Sequence, residues 1–393
     1  WARALGLSPS DHIGRRPLEG LSRPEMEPDR HPRQRAPLYL ARQYARLLEA
    51  TPPFVEAYDP LPSAFAWNLS DFVSGVSFQD YAGRFDFKQL WGARGSWVNI
   101  AMPGHWVPDL SIGLRLGWGG VRAHIAQART RHTGDGRTYL DALDRIAQSA
   151  QAFVQKHAVY ARTLAQTASA SDAKTFRQLA ARIETVVEAP PQTFHEATIW
   201  LAFFMTLNRT YNGMNVLGRL DLLLWPFFEA DIAAGRLHED EAIFLLQSLL
   251  IHDTHFICLG GTDAAGQDAS NRLSWLILRA WRGIRGPANI GLRVHEHTPN
   301  DLLVLALEVL LETGQGTPSL VNDTAIVEGL TAMGMPEEVA RAYSYGGCHW
   351  WGVPGAQYGL SDGTKINLPA SLMAALERMM ADGEPGLARL WTL

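Results

Sequence analysis

The chain has 393 residues, 47% hydrophobic and 19% charged, a globular composition that excludes a disordered or low-complexity protein. With 35 basic against 40 acidic residues the net charge is −5, so no basic excess exists to neutralise phosphates, and a nucleic-acid binder is excluded. Two cysteines, Cys258 and Cys348, make neither a disulfide framework nor a metal-ligand spacing and point to a reducing, cytoplasmic setting; no apolar run is long enough to span a bilayer, and no signal peptide opens the chain.

Residues 1 to about 36 are rich in Pro, Arg and Gly, without a sustained period, and read as loop. Pro37–Ala50 carries Leu38, Leu40, Tyr44, Leu47 and Leu48 at helical spacing and stops before Pro52-Pro53. Residues 54–100 are irregular and aromatic-rich. Asp109 is placed to cap a helix, and Gly136 to about Thr167 forms one long amphipathic helix or two. A helix from Ser171-Asp172 to Val187 is stopped by Pro190-Pro191. Thr193 and Glu196 form a capping box for a helix to about Asn208 that is apolar nearly all round and therefore buried.

Gly218-Arg219-Leu220-Asp221 follows, with Arg219 and Asp221 expected to form a structural ion pair. Gly235 ends one helix and His238-Glu239-Asp240 opens another, to about Asp253. Phe256–Leu259, Asn289–His295 and Pro318–Val321 read as strands, separated by helices from Asn271 to Arg282 and from Thr298-Pro299-Asn300-Asp301 onward. A helix from Pro336 to about Ser344 and another from about Leu368 to Ala381 flank the stretch Ser344–Leu368. Short strands alternating with helices indicate an α/β protein. Two divisions are expected, an extended and helical segment over 1–100 and a main domain over 101–393.

Ser344–Leu368 is unlike the rest. It holds Cys348, six glycines and one proline, which argue against a regular helix or strand, and its Trp, Tyr and His residues surround the thiol. From composition, a buried structural cysteine in a tight turn and a reactive one are both open. Cys258, within an apolar strand, reads as a core cysteine.

Around this stretch the order of motifs resembles the glycyl radical enzymes, the pyruvate formate-lyase-like family. The segments are Gly104-His105-x-x-Pro108-Asp109, Thr193-Phe194-His195-Glu196-Ala197, Gly218-Arg219-Leu220-Asp221, Gly260-Gly261-x-Asp263, Gly291-Leu292-Arg293-Val294-His295, Gly316-Thr317-Pro318-Ser319-Leu320-Val321-Asn322-Asp323 and Tyr345-Gly346-Gly347-Cys348, covering roughly residues 100–375. The resemblance implies part of a ten-stranded α/β barrel with many surrounding helices, and a loop that carries Cys348 into its centre. It implies no bound cofactor. A glycyl radical on a C-terminal loop, installed by a radical-SAM activating enzyme as partner, would oxidise Cys348 to a thiyl that takes hydrogen from a small-molecule substrate. It also allows a homodimer.

Three departures narrow the chemistry. His349 follows Cys348 where pyruvate formate-lyase has a second cysteine, and Trp350 stands where eliminating members keep a glutamate base. Asn212-Gly213-Met214-Asn215 replaces the Asn-Gly-His-Ser of diol-binding members. A lyase that is neither a standard diol dehydratase nor pyruvate formate-lyase is expected, with a non-catalytic homologue keeping only the scaffold as the alternative. The site residues are Cys348 and His349 as catalytic groups, the imidazole as acid or base. Asp362, His105, Asn215, Met214, Trp350 and Trp351 would line the substrate pocket, the tryptophans favouring an apolar or aromatic substrate. No glycyl-radical segment occurs by Leu393 and Trp1 is not an initiator, so a piece of a longer protein is expected.

Overall fold

The computed structural model describes residues 18–28, 36–73, 98–99, 107–211, 215–252, 255–284, 286, 288–346, 350–357, 365–366 and 368–382. Helix α1 (Pro37–Ala50) begins with proline at its first position, where no hydrogen bond is lost, and buries Tyr39, Tyr44, Leu47 and Leu48. A two-residue strand β1 (Val98–Asn99) precedes α2 (Leu110–Arg129), whose cap is Asp109: its carboxylate accepts from Ser111 N at 3.1 Å. Residues 134–167 form one continuous helix, α3 (Gly134–Thr167), and α4 (Ala170–Glu188) is capped by Ser169 rather than by Ser171-Asp172. The α3 helix packs along α1, α2 and α4. Helix α5 (Phe194–Tyr211) opens with the expected box, in which Glu196 N donates to Thr193 Oγ1 and Thr193 N to Glu196 Oε2, each at 3.2 Å. It is buried on almost every side, as its apolar sequence requires.

The second half alternates strand and helix: β2 (Asn215–Arg219), α6 (Leu220–Ala233), α7 (Glu239–Ile251), β3 (His255–Gly260), α8 (Arg272–Arg282), β4 (Asn289–Val294), α9 (Asn300–Thr313), β5 (Ser319–Asn322) and α10 (Asp323–Ala332). The four strands form one parallel sheet in the order β2-β3-β4-β5. Side chains alternate across it with the strand period of two. Leu217, Ile257, Leu259, Ile290 and Leu292 join α5, α7 and α8 in the main core, where Phe194, Phe203 and Trp281 are fully buried. Burying each such aromatic side chain stabilises the fold by about 2–3 kcal/mol. The other face presents Val216, Gly218, Phe256, Cys258, Gly291 and Arg293, which stand apart from the helix-packed core, and among the described residues none of these helices packs across it.

After α11 (Glu337–Ala340) come a hairpin of β6 (Ser344–Gly346) and β7 (Trp350–Gly352), then β8 (Lys365–Ile366), antiparallel to β1, and α12 (Leu368–Asp382). Two elements were not foreseen and two expectations are corrected. Asn215–Arg219 is a strand, and Asp323–Ala332 is a helix begun by Asn322, whose side chain accepts from Ala325 N at 3.0 Å. The helix at Pro336 ends at Ala340 instead of Ser344: beyond it the bonds tighten to three-residue turns, Ala342 N donating to Val339 O and Tyr343 N to Ala340 O, and Ser344 already enters β6. The glycine-rich stretch does contain regular strand, three residues on each side of its tip. Among the described residues no helix is long and apolar enough to cross a membrane.

Two buried polar sites make the helical half acid-sensitive. His195 Nε2 lies 3.1 Å from Pro60 O; burial, reinforced by Arg182, pushes its pKa down to about 4. Asp59 accepts from Ser248 Oγ, Leu61 N and His252 Nε2; burial alone would raise its carboxyl, but His252 and these donors hold it below the usual range. Both depressed values act in one direction. The unfolded chain binds protons first as pH falls, so stability present above pH 6.5 is lost through His195 between about 6.5 and 4, and through Asp59 below that. For His195 the loss by pH 4.5 is roughly 2–3 kcal/mol. Thermal melts from pH 7 to 4.5 should show it, and His195→Gln, which can still donate to Pro60 O, should flatten the upper part of the slope.

Candidate active site

The carboxyl ends of the strands carry a buried polar network. Gly260 and Gly261 leave β3 with φ of 62° and 76°. A Cβ on Gly261 would lie 2.4 Å from Arg293 Nε, so glycine is what lets the guanidinium lie against this turn. Arg219 and Asp221 do not pair with each other as expected. They grip opposite sides of one peptide residue instead: Arg219 Nη2 donates to Gly260 O at 2.7 Å, and Asp221 Oδ2 accepts from Gly260 N at 2.8 Å and from Ser274 Oγ at 2.6 Å. Burial raises the carboxyl of Asp221 above its ordinary value, and burial lowers Arg219 to about 10. Arg219 Nη1 further donates to Thr262 O at 3.0 Å and Arg341 O at 3.4 Å.

Arg293, in β4, is wholly buried. Its Nε meets Asp323 Oδ1 at 2.8 Å, its Nη1 donates to Tyr343 O at 2.8 Å and its Nη2 to Arg341 O at 2.9 Å, and its Cζ stands 3.9 Å over the Tyr343 ring. Asp323 also accepts from Thr262 N at 3.0 Å and Oγ1 at 2.9 Å. Burial pushes the Asp323 carboxyl up, Arg293 pulls it down further, and the result lies below the usual carboxylate range.

From Tyr343 the chain crosses the helix-free face of the sheet. Ser344 passes Gly218, where an added Cβ would sit 3.7 Å from its Oγ. Tyr345 N donates to Cys258 Sγ at 3.3 Å, and the Tyr345 ring occupies the space above Gly291, where a Cβ would fall 0.9 Å from the hydroxyl oxygen. Burial pushes the Cys258 thiol up to about 11, so it is a neutral packing group at ordinary pH. The β6–β7 register pairs Tyr345 with Trp351 and Gly346 with Trp350. Three residues, 347–349, therefore join the strands, with Cys348 in the middle by sequence. The described part of β6 runs toward the amino ends of the sheet strands, where Asn215 begins β2 opposite His255. Beyond β7, Gly355 has φ 74° and abuts Asp109 Oδ2, docking this segment on the start of α2.

Of the expected site residues, Cys348, His349, Asp362, His105 and Met214 lie outside the described residues. Asn215 and Trp350 are placed as strand backbone, and Trp351, 41% exposed, stands opposite Tyr345. Arg293, Asp323, Tyr345 and Gly291 were not foreseen as parts of the site. One signal was present: a lone arginine between Leu292 and Val294 in an apolar strand needs a buried partner. Among the described residues no group of three or more His, Cys, Asp or Glu side chains could hold a metal.

Comparison with known proteins bears on the family and the fold. The chain is 28% identical over 269 residues to an isethionate sulfite-lyase of Nitratidesulfovibrio vulgaris, a match covering 61% of this chain and 32% of that protein. It is 26% identical over 321 residues to a (2S)-3-sulfopropanediol dehydratase of Klebsiella oxytoca, covering 73% and 38%. The chain thus spans well under half the length of these relatives. The crystal structure of a glycyl radical enzyme from Archaeoglobus fulgidus superposes with a TM-score of 0.75 at 19% identity, over 88% of this chain and 55% of that one. That likeness shows the fold: the four-stranded sheet and its helices are part of an α/β barrel. The family model described as Pyruvate formate lyase-like matches residues 95–384, and the chain belongs to that family.

Proposed function

We propose that this chain supplies the cysteine-loop portion of a glycyl radical enzyme of lyase type. Cys348, as a thiyl radical, takes a hydrogen atom from a small organic substrate; the S–H bond forms, the substrate C–H bond breaks, and the substrate radical then cleaves or forms a C–C or C–heteroatom bond. The supporting observation is the hairpin laid on the helix-free face of the barrel sheet, with residues 347–349 as its connection. A radical needs a site closed to water and to stray hydrogen donors, and the buried strand Ser344–Gly346 that leads to Cys348 is consistent with that need. Relatives named as a lyase and a dehydratase favour this over a non-catalytic scaffold.

In this proposal His349 moves the proton that accompanies bond cleavage, since no carboxylate stands at Trp350. Asp362, His105, Asn215 and Met214 bind and orient substrate, and Trp350 and Trp351 shape an apolar wall. A glycyl radical on a C-terminal loop, installed by a radical-SAM activating enzyme in an anaerobic cytoplasm, generates the thiyl. The test is anaerobic activation of the full-length protein followed by EPR. A glycyl radical doublet that is consumed and regenerated with substrate is expected; no signal with an activase proven on another substrate enzyme would overturn the proposal.

A further inference from the structure

The geometry points to Arg293 as a positioning residue for the cysteine loop, resting on the role of Cys348 given above. The β6–β7 hairpin is a separate two-stranded sheet and takes no part in the four-stranded ladder. Its register on the barrel face therefore cannot come from strand pairing, and side chains of the sheet have to supply it. They do so at residues 341, 343 and 345, where the chain turns out of α11 and enters β6. Arg341 O receives Arg293 Nη2 and Arg219 Nη1, Tyr343 O receives Arg293 Nη1, and Tyr345 N reaches Cys258 Sγ. Three neighbouring strands, β2, β3 and β4, each contribute one of these side chains.

Arg293 is the central member. Asp323 takes only its Nε, which leaves the outer nitrogens of the fork for the two carbonyls. Asp323 is itself fixed by Thr262, and Thr262 Oγ1 receives Arg341 Nη1 at 2.9 Å, so the clamp closes on the residue it holds. Only four residues separate Tyr343 from Cys348. Hydrogen transfer is steeply sensitive to reach, and an ångström of misplacement costs on the order of a hundredfold in rate.

The test uses the full-length enzyme with Arg293→Lys. Lysine keeps a charge beside Asp323 but lacks the planar fork: its single Nζ falls one bond short of the Nη1 and Nη2 positions that reach Tyr343 O and Arg341 O. The glycyl radical spin yield should equal wild type and KM should stay within about threefold, while kcat falls roughly a hundredfold. Amide exchange at 343–346 should quicken at least about tenfold, with the rest of the sheet unchanged. Should Arg293→Lys not fold, the double variant Arg293→Met/Asp323→Leu replaces the buried pair by apolar side chains, an exchange that folds tolerate, and the same losses are expected. A folded variant of either kind with wild-type kcat and wild-type exchange at 343–346 would overturn the inference. The exchange result does not depend on radical chemistry: if the wild-type enzyme gave no glycyl signal, the clamp would still be tested by exchange, and the failure would belong to the proposed reaction alone.

Discussion

Cys348→Ser is expected to lower turnover of the full-length enzyme by roughly ten-thousandfold or more, with the EPR amplitude of the glycyl radical unchanged. Serine is close in size to cysteine, so the loop keeps its shape. Its O–H bond is much stronger than S–H, so a glycyl radical cannot draw the hydrogen from it. The storage radical forms before the cysteine acts and therefore persists. Cys258 provides the contrast. It is a neutral thiol whose sulfur accepts a backbone N–H, and Cys258→Ala removes that acceptor without touching substrate. Its turnover should fall far less than that of Cys348→Ser. Activity after quantified activation checks both, and a Cys348→Ser protein turning over near the wild-type rate would rule out the thiyl route.

Gly291→Ala should be the most damaging small substitution in the sheet. The new methyl would lie 0.9 Å from the Tyr345 hydroxyl oxygen and 2.0 Å from Cζ. Neither atom can stay, so the ring must leave its seat and take β6 with it. Overpacking of this kind costs about 3 kcal/mol or more, and displacement of β6 should cut turnover as well. Tyr345→Phe in the same background cannot relieve the clash, because Cζ remains. Tyr345→Ala in that background should restore much of the stability but not the activity, since the loop then lacks its anchor. Denaturant melts and turnover of the three variants check this, and an unchanged melt for Gly291→Ala would contradict the packing described.

Legibility in the sequence followed the range of the interaction. Helix starts set by neighbours were readable: Asp109 before Leu110, and the Thr193–Glu196 box. So were the three apolar strands β3, β4 and β5. Strand β2 was missed because Gly218, with φ 63°, interrupts a five-residue run. The helix after Asn322 was missed because the strand passes into it without a loop. Arg219 and Asp221 were read as partners because they are neighbours in sequence, whereas their bonds reach Gly260, Thr262, Ser274 and Arg341.

By itself the sequence determined the α/β alternation and the family through its ordered motifs, and it singled out Cys348 as the residue proposed to carry the chemistry. Local propensity and motif order depend on residues close in the chain, and one sequence holds all of them. Only the tertiary structure decided how the cysteine stretch is held. The contacts that seat it join Tyr345 to Cys258 and Gly291, and Arg293 to Arg341 and Tyr343, across some fifty to ninety residues. Such contacts arise from burial and from backbone carbonyls that any residue carries, so apart from the lone Arg293 in its apolar strand they leave no pattern in the sequence to read.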